Sequence, residues 1–195
     1  MMYVIGILVA YLLGTVQYGL IVSRLLGYGD LRKIGSGNTG AANALRAGGL
    51  RLGVLVWVLD MVKAIIAVLI GNYIGGATFG VWCGVAVMVG HCFPVWSHFH
   101  GGKGVSCLFG VLLAINPLMF VICGIEWLIV VLGYGHSSLG AIIVSCLAPV
   151  LGFAVSAGLG FAFLAMGILC LYRHLENIGR LVGGTESSIV WRWKK

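Results

Sequence analysis

Charge is scarce in this sequence. Of 195 residues only 9% are Asp, Glu, Lys or Arg, and just 5 are acidic. A soluble domain carries about 25% charged residues, so these side chains cannot cover a water-exposed surface. Paired cysteines are missing too. Cys83, Cys92, Cys107, Cys123, Cys146 and Cys170 stand singly in apolar stretches with no CxxC, the pattern of small buried residues rather than of redox or zinc chemistry. His91, His98 and His100 lie close together without a carboxylate or thiolate set at ligand spacing, so no metal is expected. There is no GxxxxGK[ST] loop, no GxGxxG after a strand, no nucleic-acid motif, no long internal repeat and no low-complexity linker. The amino-terminal apolar run lacks a basic n-region and exceeds a signal-peptide core, so it reads as a retained span.

What remains is oil, glycine and a few well-placed cations. Hydrophobic residues make up 61% of the chain and mean hydropathy is +1.09. The expected class is an all-α polytopic integral membrane protein of one domain, residues 1–195. The 32 glycines, many inside apolar runs, suit close helix packing. Net charge is +7, and the cations form three groups. Arg24, Arg32, Lys33, Arg46, Arg51 and Lys63 come first, Lys103 stands alone, and Arg173, Arg180, Arg192, Lys194 and Lys195 end the chain. Positive charge collects on the cytoplasmic side of membrane proteins, so all three groups should face the cytoplasm. Such patches suit phosphate-bearing ligands or anionic lipid.

Orientation then follows from parity. One apolar run precedes Arg24, which puts the amino terminus outside. Residues 52–102 join two inward regions and fit two crossings. Residues 104–172 contain no Lys or Arg and fit two or four. Asn116-Pro117, Gly135–Ser138 and Val155–Gly158 break that run at regular intervals and favour four. The total is about seven transmembrane helices rather than five, with the carboxyl terminus cytoplasmic. Residues 104–115 are too few to span alone.

Three inward segments carry the chemistry. In DLRKIGSGNTGAANALRAGG, Gly35, Gly37 and Gly40 permit positive φ and close approach of N–H groups to an anion. Ser36, Asn38 and Asn43 add hydrogen bonding, and Arg46 offers a planar fork for phosphate. TGAANALRA can wind as a short helix with its amino end toward the glycine turn. In HCFPVWSHFHGGKGVS, Pro94 ends a helix, and Gly101 and Gly102 deliver Lys103 to the mouth of the next one. In YRHLENIGRLVGGTE, His174, Asn177 and Arg180 recur at helical spacing and can share a face. Ser137 and Ser138 should turn to the same side. Asp60 and Lys63, three apart on one helix, are expected to form a structural ion pair. Glu126 falls within an apolar span and should be paired, neutral or turned inward.

These segments, in this order, resemble the bacterial acylphosphate-dependent glycerol-3-phosphate acyltransferases (the PlsY family). The family's GSGNxGxTN plus arginine reads here as GSGNTGAANALR. Its HxFP leading to GGKG reads as HCFPVWSHFHGGKGV, and its HRxNIxRL with GxE reads as HLENIGRLVGGTE. The likeness covers essentially the full length. Ala42, His100 and Leu175 depart from the threonine, lysine and arginine common at those positions.

The resemblance implies transfer of a fatty acyl group from acyl phosphate to the 1-hydroxyl of glycerol 3-phosphate, giving lysophosphatidic acid and phosphate in the bacterial inner membrane. It implies no cofactor and no metal; the partners are the two substrates and membrane lipids, with no nucleic acid, and a monomer is expected. Ser36, Arg46, Lys103, His174 and Asn177 become the catalytic candidates. Gly35, Gly37, Asn38, Asn43, Gly101, Gly102, Ser138 and Arg180 become substrate-binding candidates. None of the five histidines has an aspartate five residues on, so the HxxxxD dyad of acyl-CoA-using acyltransferases is lacking. A transporter of phosphorylated solutes would need polar residues along a path to the outer side, where Glu126 is the chief exception to an apolar lining.

Overall fold

The computed structural model describes residues 1–189, and all regular structure among them is helical. Arg192, Lys194 and Lys195 of the third cationic group lie outside the described residues. The chain divides into two compact units, Met1–Ile115 and the part from Asn116 onward.

In the first unit, α1 (Met2–Thr15) and α2 (Tyr18–Leu25) form an apolar stretch of 24 residues. A 3₁₀ turn, Leu31–Lys33, follows. The long α3, Ala41–Cys92, is broken twice, at Gly49 (φ 75°) and at Gly75–Gly76 (φ 75° at Gly76). Glycine takes the positive φ at Gly49 and Gly76 without strain, which lets the chain break there. The rods are residues 41–48, 50–74 and 77–92. The first is the short helix expected after the glycine turn. The second and third fold back on one another, with Gly71 against Gly80 and Cys83.

Two aromatic contacts fix the direction of α1. Tyr3 packs edge-on to Phe79 with ring centroids 4.8 Å apart, and Tyr11 Oη donates to the Phe93 carbonyl at 2.9 Å. So α1 runs alongside residues 77–92 in the same sense. The 11-residue α4 (Val105–Ile115) runs with residues 50–74: Cys107 Sγ reaches the Asp60 carbonyl at 3.6 Å, and Phe109 meets Trp57 at 6.3 Å. In chain order α1, residues 50–74, residues 77–92 and α4 alternate in direction. At 1.5 Å per residue α4 measures about 16 Å, half a hydrocarbon core of about 30 Å.

The second unit comprises α5 (Pro117–Tyr134), α6 (Ser137–Val155), α7 (Ala157–Arg173) and α8 (Leu175–Val182). Its breaks fall where turn chemistry puts them. Asn116 Oδ1 accepts from the Leu118 and Met119 amides at 3.0 and 3.3 Å, and Pro117 opens the helix without losing a donor. Gly135 closes α5 with φ 80°. Ser156 Oγ caps α7 through the Leu159 amide at 3.2 Å. Phe153 and Phe161 pack at 5.2 Å across the α6–α7 turn. Chain direction then bends by 60° between α7 and α8.

By length and apolarity Met2–Leu25, the α3 region, α5 and α6 can each cross a bilayer, with the bent α7–α8 pair as a fifth candidate. The sequence grouped Lys63 with the cytoplasmic cations. In the structure it lies in the interior of α3, 2% exposed, because Asp60 one turn earlier neutralises it.

Candidate active site

The glycine loop is built around Asn43. This residue is 1% exposed. Its Oδ1 accepts from the Ser36 amide at 3.0 Å. Its Nδ2 faces the carbonyls of Leu31, Ile34 and Asn38 at 2.9, 2.9 and 2.8 Å. One buried amide therefore gathers four backbone groups that a free loop would leave to water. The loop can close this tightly because Gly35 and Gly37 have φ 56° and 70°, and a Cβ at Gly35 would overlap Asn43 Oδ1. Asn38 Oδ1 receives the Gly40 amide at 2.9 Å, an Asx turn that starts α3. Ser36 is left exposed, and half-buried Arg46 lies one turn beyond Asn43, its Cδ on the Gly35 side. The sequence nominated Asn38 and Asn43 as ligand groups; here their amides organise the loop, and Ser36 and Arg46 border it. Upstream, Asp30 binds Arg24 at 2.7 Å and also Arg32. The Arg32 hydrogen bond, then that of Arg24, holds the Asp30 carboxyl well below the usual range despite desolvation.

The Gly101–Gly104 turn lies on the end of α3. The Gly102 amide donates to the His91 carbonyl at 3.0 Å, and Gly104 (φ 86°) leads into α4. Gly101 and Gly102 are buried, and Lys103 is half-buried between them and Gly104. The preceding turn is tied to the first helices: Gln17 Nε2 donates to Ser97 Oγ at 2.5 Å, and Trp96 Nε1 to Thr15 Oγ1 at 3.0 Å.

In the second unit a residue not singled out from sequence takes the centre. Glu186 Oε1 accepts from Ser138 Oγ at 2.8 Å and from Asn177 Nδ2 at 2.6 Å; its Oε2 accepts from Arg180 Nε at 2.7 Å. The chain reaches this position by reversing after α8, with the Thr185 amide on the Arg180 carbonyl at 2.8 Å and Gly184 at φ 67°. The Ile189 amide then binds the Gly135 carbonyl at 2.8 Å, locking the tail to the α5–α6 turn. Burial alone would raise the Glu186 pKa. The hydrogen bonds from Arg180, Ser138 and Asn177 outweigh it and hold the carboxyl below its ordinary value.

His174 sits at the bend between α7 and α8, not on the α8 face with Asn177 and Arg180. It is 3% exposed, and its Nδ1 lies 2.8 Å from the Cys170 carbonyl. A carbonyl only accepts, so Nδ1 carries a proton and donates it to the Cys170 carbonyl.

Residues 4–184 match the family described as glycerol-3-phosphate acyltransferase. The chain belongs to this family. The glycerol-3-phosphate acyltransferase of Sinorhizobium medicae is 42% identical over 180 residues, 92% of this chain and 88% of its own. That of Burkholderia lata is 40% identical over 194 residues, 97% and 92% of the two chains. Among solved structures, the fold matches the crystal structure of PlsY (YgiH), an integral membrane glycerol 3-phosphate acyltransferase, in its glycerol 3-phosphate form. TM-score is 0.91 at 36% identity, over 97% of this chain and 96% of that one. The lysophosphatidic acid form matches at TM-score 0.89 and 34% identity, over 96% and 95%.

For this family member, then, the three motif segments are ordered elements. The first is held by the buried Asn43 amide, the second by the backbone carbonyl of His91 and the third by the Glu186 carboxylate. The GxE ending of the third motif was the available signal for Glu186. Among the described residues no group of three or more His, Cys, Asp or Glu could hold a metal ion.

Proposed function

We propose that the protein transfers the acyl group of a fatty acyl phosphate to the 1-hydroxyl of glycerol 3-phosphate, releasing lysophosphatidic acid and inorganic phosphate. The observation that carries this reading is the likeness over 97% of the chain to an acyltransferase structure in its glycerol 3-phosphate form. Ordered phosphate-type elements in both units support it. The enzyme works as a monomeric single domain in the bacterial inner membrane. Seven helices cross, the amino terminus lies outside, and the motif segments face the cytoplasm.

In this mechanism the hydroxyl oxygen of glycerol 3-phosphate attacks the acyl carbonyl carbon. The carbon–oxygen bond to phosphate breaks, and the bonding pair leaves with the phosphate. The hydroxyl proton passes to His174 Nε2 or to a substrate phosphate oxygen. Acyl phosphate is already activated, so no covalent enzyme intermediate is formed. Ser36 and Arg46 bind the acyl phosphate at the loop that Gly35 and Gly37 let close. Lys103 neutralises charge on the departing phosphate. Ser138, Asn177, Arg180 and His174 orient glycerol 3-phosphate, and Asn38 and Asn43 hold the phosphate loop in shape.

The test is an assay of purified protein with palmitoyl phosphate. Phosphate release that strictly requires glycerol 3-phosphate, with lysophosphatidic acid as product and no turnover of palmitoyl-CoA, is expected. Turnover of palmitoyl-CoA alone would reject the donor. Release without glycerol 3-phosphate would reject the acceptor.

A further inference from the structure

A buried polar cluster in the first unit has no part in the chemistry above. Asp60, Lys63 and His91 are 1%, 2% and 4% exposed. Lys63 Nζ lies 2.7 Å from Asp60 Oδ1, 2.7 Å from the Val16 carbonyl and 3.0 Å from His91 Nδ1. Asp60 Oδ1 is its ion-pair partner, and since an ammonium has no lone pair, Lys63 is the donor to the Val16 carbonyl and to His91. His91 Nδ1, which is also 3.5 Å from Asp60 Oδ1, must then accept, and the imidazole proton is assigned to Nε2. That edge of the ring faces the glycine–lysine turn: a Cβ at Gly102 would overlap His91 Nε2, and one at Gly101 would overlap the His91 carbonyl. On the other side Cys107, two residues into α4, holds the Asp60 carbonyl at 3.6 Å. The cluster thus touches both ends of the segment that carries Lys103.

A salt bridge is an expensive way to fill a helix interior, since apolar residues of the same volume do as well or better for stability alone. What the ion pair adds here is direction. It fixes the tautomer and the rotation of one imidazole, and that ring forms the floor on which Gly101 and Gly102 lie. The geometry points to Asp60, Lys63 and His91 as a positioning triad that sets where Lys103 stands for acyl transfer. This rests on the acyltransferase reading for Lys103, but the triad itself can be tested without it.

The experiment compares the wild type with His91→Phe and His91→Gln in detergent. His91→Phe keeps a ring but removes both nitrogens; His91→Gln restores one acceptor and one donor. Three readouts are taken: steady-state kinetics with palmitoyl phosphate, thermal unfolding, and the rate at which pyridoxal 5′-phosphate with borohydride labels Lys103, read by peptide mass. His91→Phe is expected to unfold below the wild-type temperature, since Lys63 loses a buried acceptor, yet to stay folded under assay conditions, to lose kcat by about tenfold or more with KM for glycerol 3-phosphate little changed, and to label Lys103 at a clearly altered rate. His91→Gln should recover most of both. A folded His91→Phe with wild-type kcat and wild-type labelling would overturn the triad, as would a His91→Gln no better than His91→Phe. If His91→Phe is not recovered folded, Asp60→Asn, nearly isosteric, replaces it with the same two outcomes. Altered labelling in a protein whose wild type does not turn over acyl phosphate would keep the triad and sink the acyltransferase reading. Normal turnover with unaltered labelling would do the reverse.

Discussion

Asn177 Nδ2 donates to Glu186 Oε1 at 2.6 Å across the reversal that ends α8. Nine residues separate the two, and the carboxylate also holds Ser138 from the first turn of α6 and Arg180 from α8. An anion at the centre of a region proposed to bind phosphate looks misplaced until its neighbours are counted. Glu186 is the shared acceptor of three donors.

Removing that acceptor should therefore cost both fold and affinity. Glu186→Ala leaves the Arg180 guanidinium and two neutral donors without their shared partner, a loss of about 2 kcal/mol. The expected outcome is a lower unfolding temperature and a KM for glycerol 3-phosphate raised by about tenfold. Glu186→Gln, which still accepts, should lose less of each. A Glu186→Ala protein with unchanged KM would remove Ser138, Asn177 and Arg180 from the acceptor site.

The same carboxyl sets an acid limit. Its folded pKa lies below the ordinary value of 4.5, so its contribution is complete above about pH 4.5 and is lost as pH falls through the folded value. Asp30 acts in the same direction, but its pairs with Arg24 and Arg32 are solvent-screened and contribute little. Unfolding temperature measured from pH 6 down to pH 3 should fall more steeply for the wild type than for Glu186→Gln. Equal slopes would mean that another group carries the acid sensitivity.

Asn43 and Ser36 lie seven residues apart in one loop and should respond oppositely. Asn43→Ala strips several backbone groups of a buried partner, each worth about 1 kcal/mol or more, so reduced stability and reduced activity are expected together. Ser36→Ala removes an exposed hydroxyl; the unfolding temperature should hold while turnover falls by about a hundredfold. Arg46→Ala should likewise nearly abolish turnover in a folded protein. If Ser36→Ala unfolds and Asn43→Ala does not, the scaffold and ligand roles have been assigned the wrong way round.

Much of this was legible in the linear chain, and the exceptions share a cause. Asn116-Pro117, Gly135 and Ser156 announce their turns because each acts on its own backbone within three residues. The Asp60–Lys63 pair is legible as i and i+3 on a helix. Its third member is 28 residues from Lys63 and joins only because the rods on either side of Gly75–Gly76 fold together. Asn43 was found but misread, since an asparagine beside glycines has the same appearance whether it binds a ligand or four backbone groups. His174 was placed on the α8 face because helical spacing ignores the bend at its own position. Local chemistry is written in the sequence; partnerships across a fold are not.

Orientation can be decided with single cysteines at well-exposed positions. Lys33, Phe99 and Gly184 lie in the first, second and third motif segments, and all three are exposed. Tyr73 and Ser156 are exposed at the opposite ends of their helices, beside the Gly75–Gly76 break and the α6–α7 turn. In a background lacking exposed Cys146, a membrane-impermeant maleimide added to intact cells should label positions 73 and 156 and spare 33, 99 and 184 until the membrane is opened. The cations at the motif ends predict the protected positions, since positive charge is retained on the cytoplasmic side, and four crossings between residues 104 and 172 predict the labelling at 156. Labelling of position 184 from outside, with 33 and 99 protected, would leave an odd number of crossings between Lys103 and Arg173. The second unit could not then present Ser138, Asn177 and Arg180 to a cytoplasmic substrate, and the acyl-transfer reading would fail on topology alone.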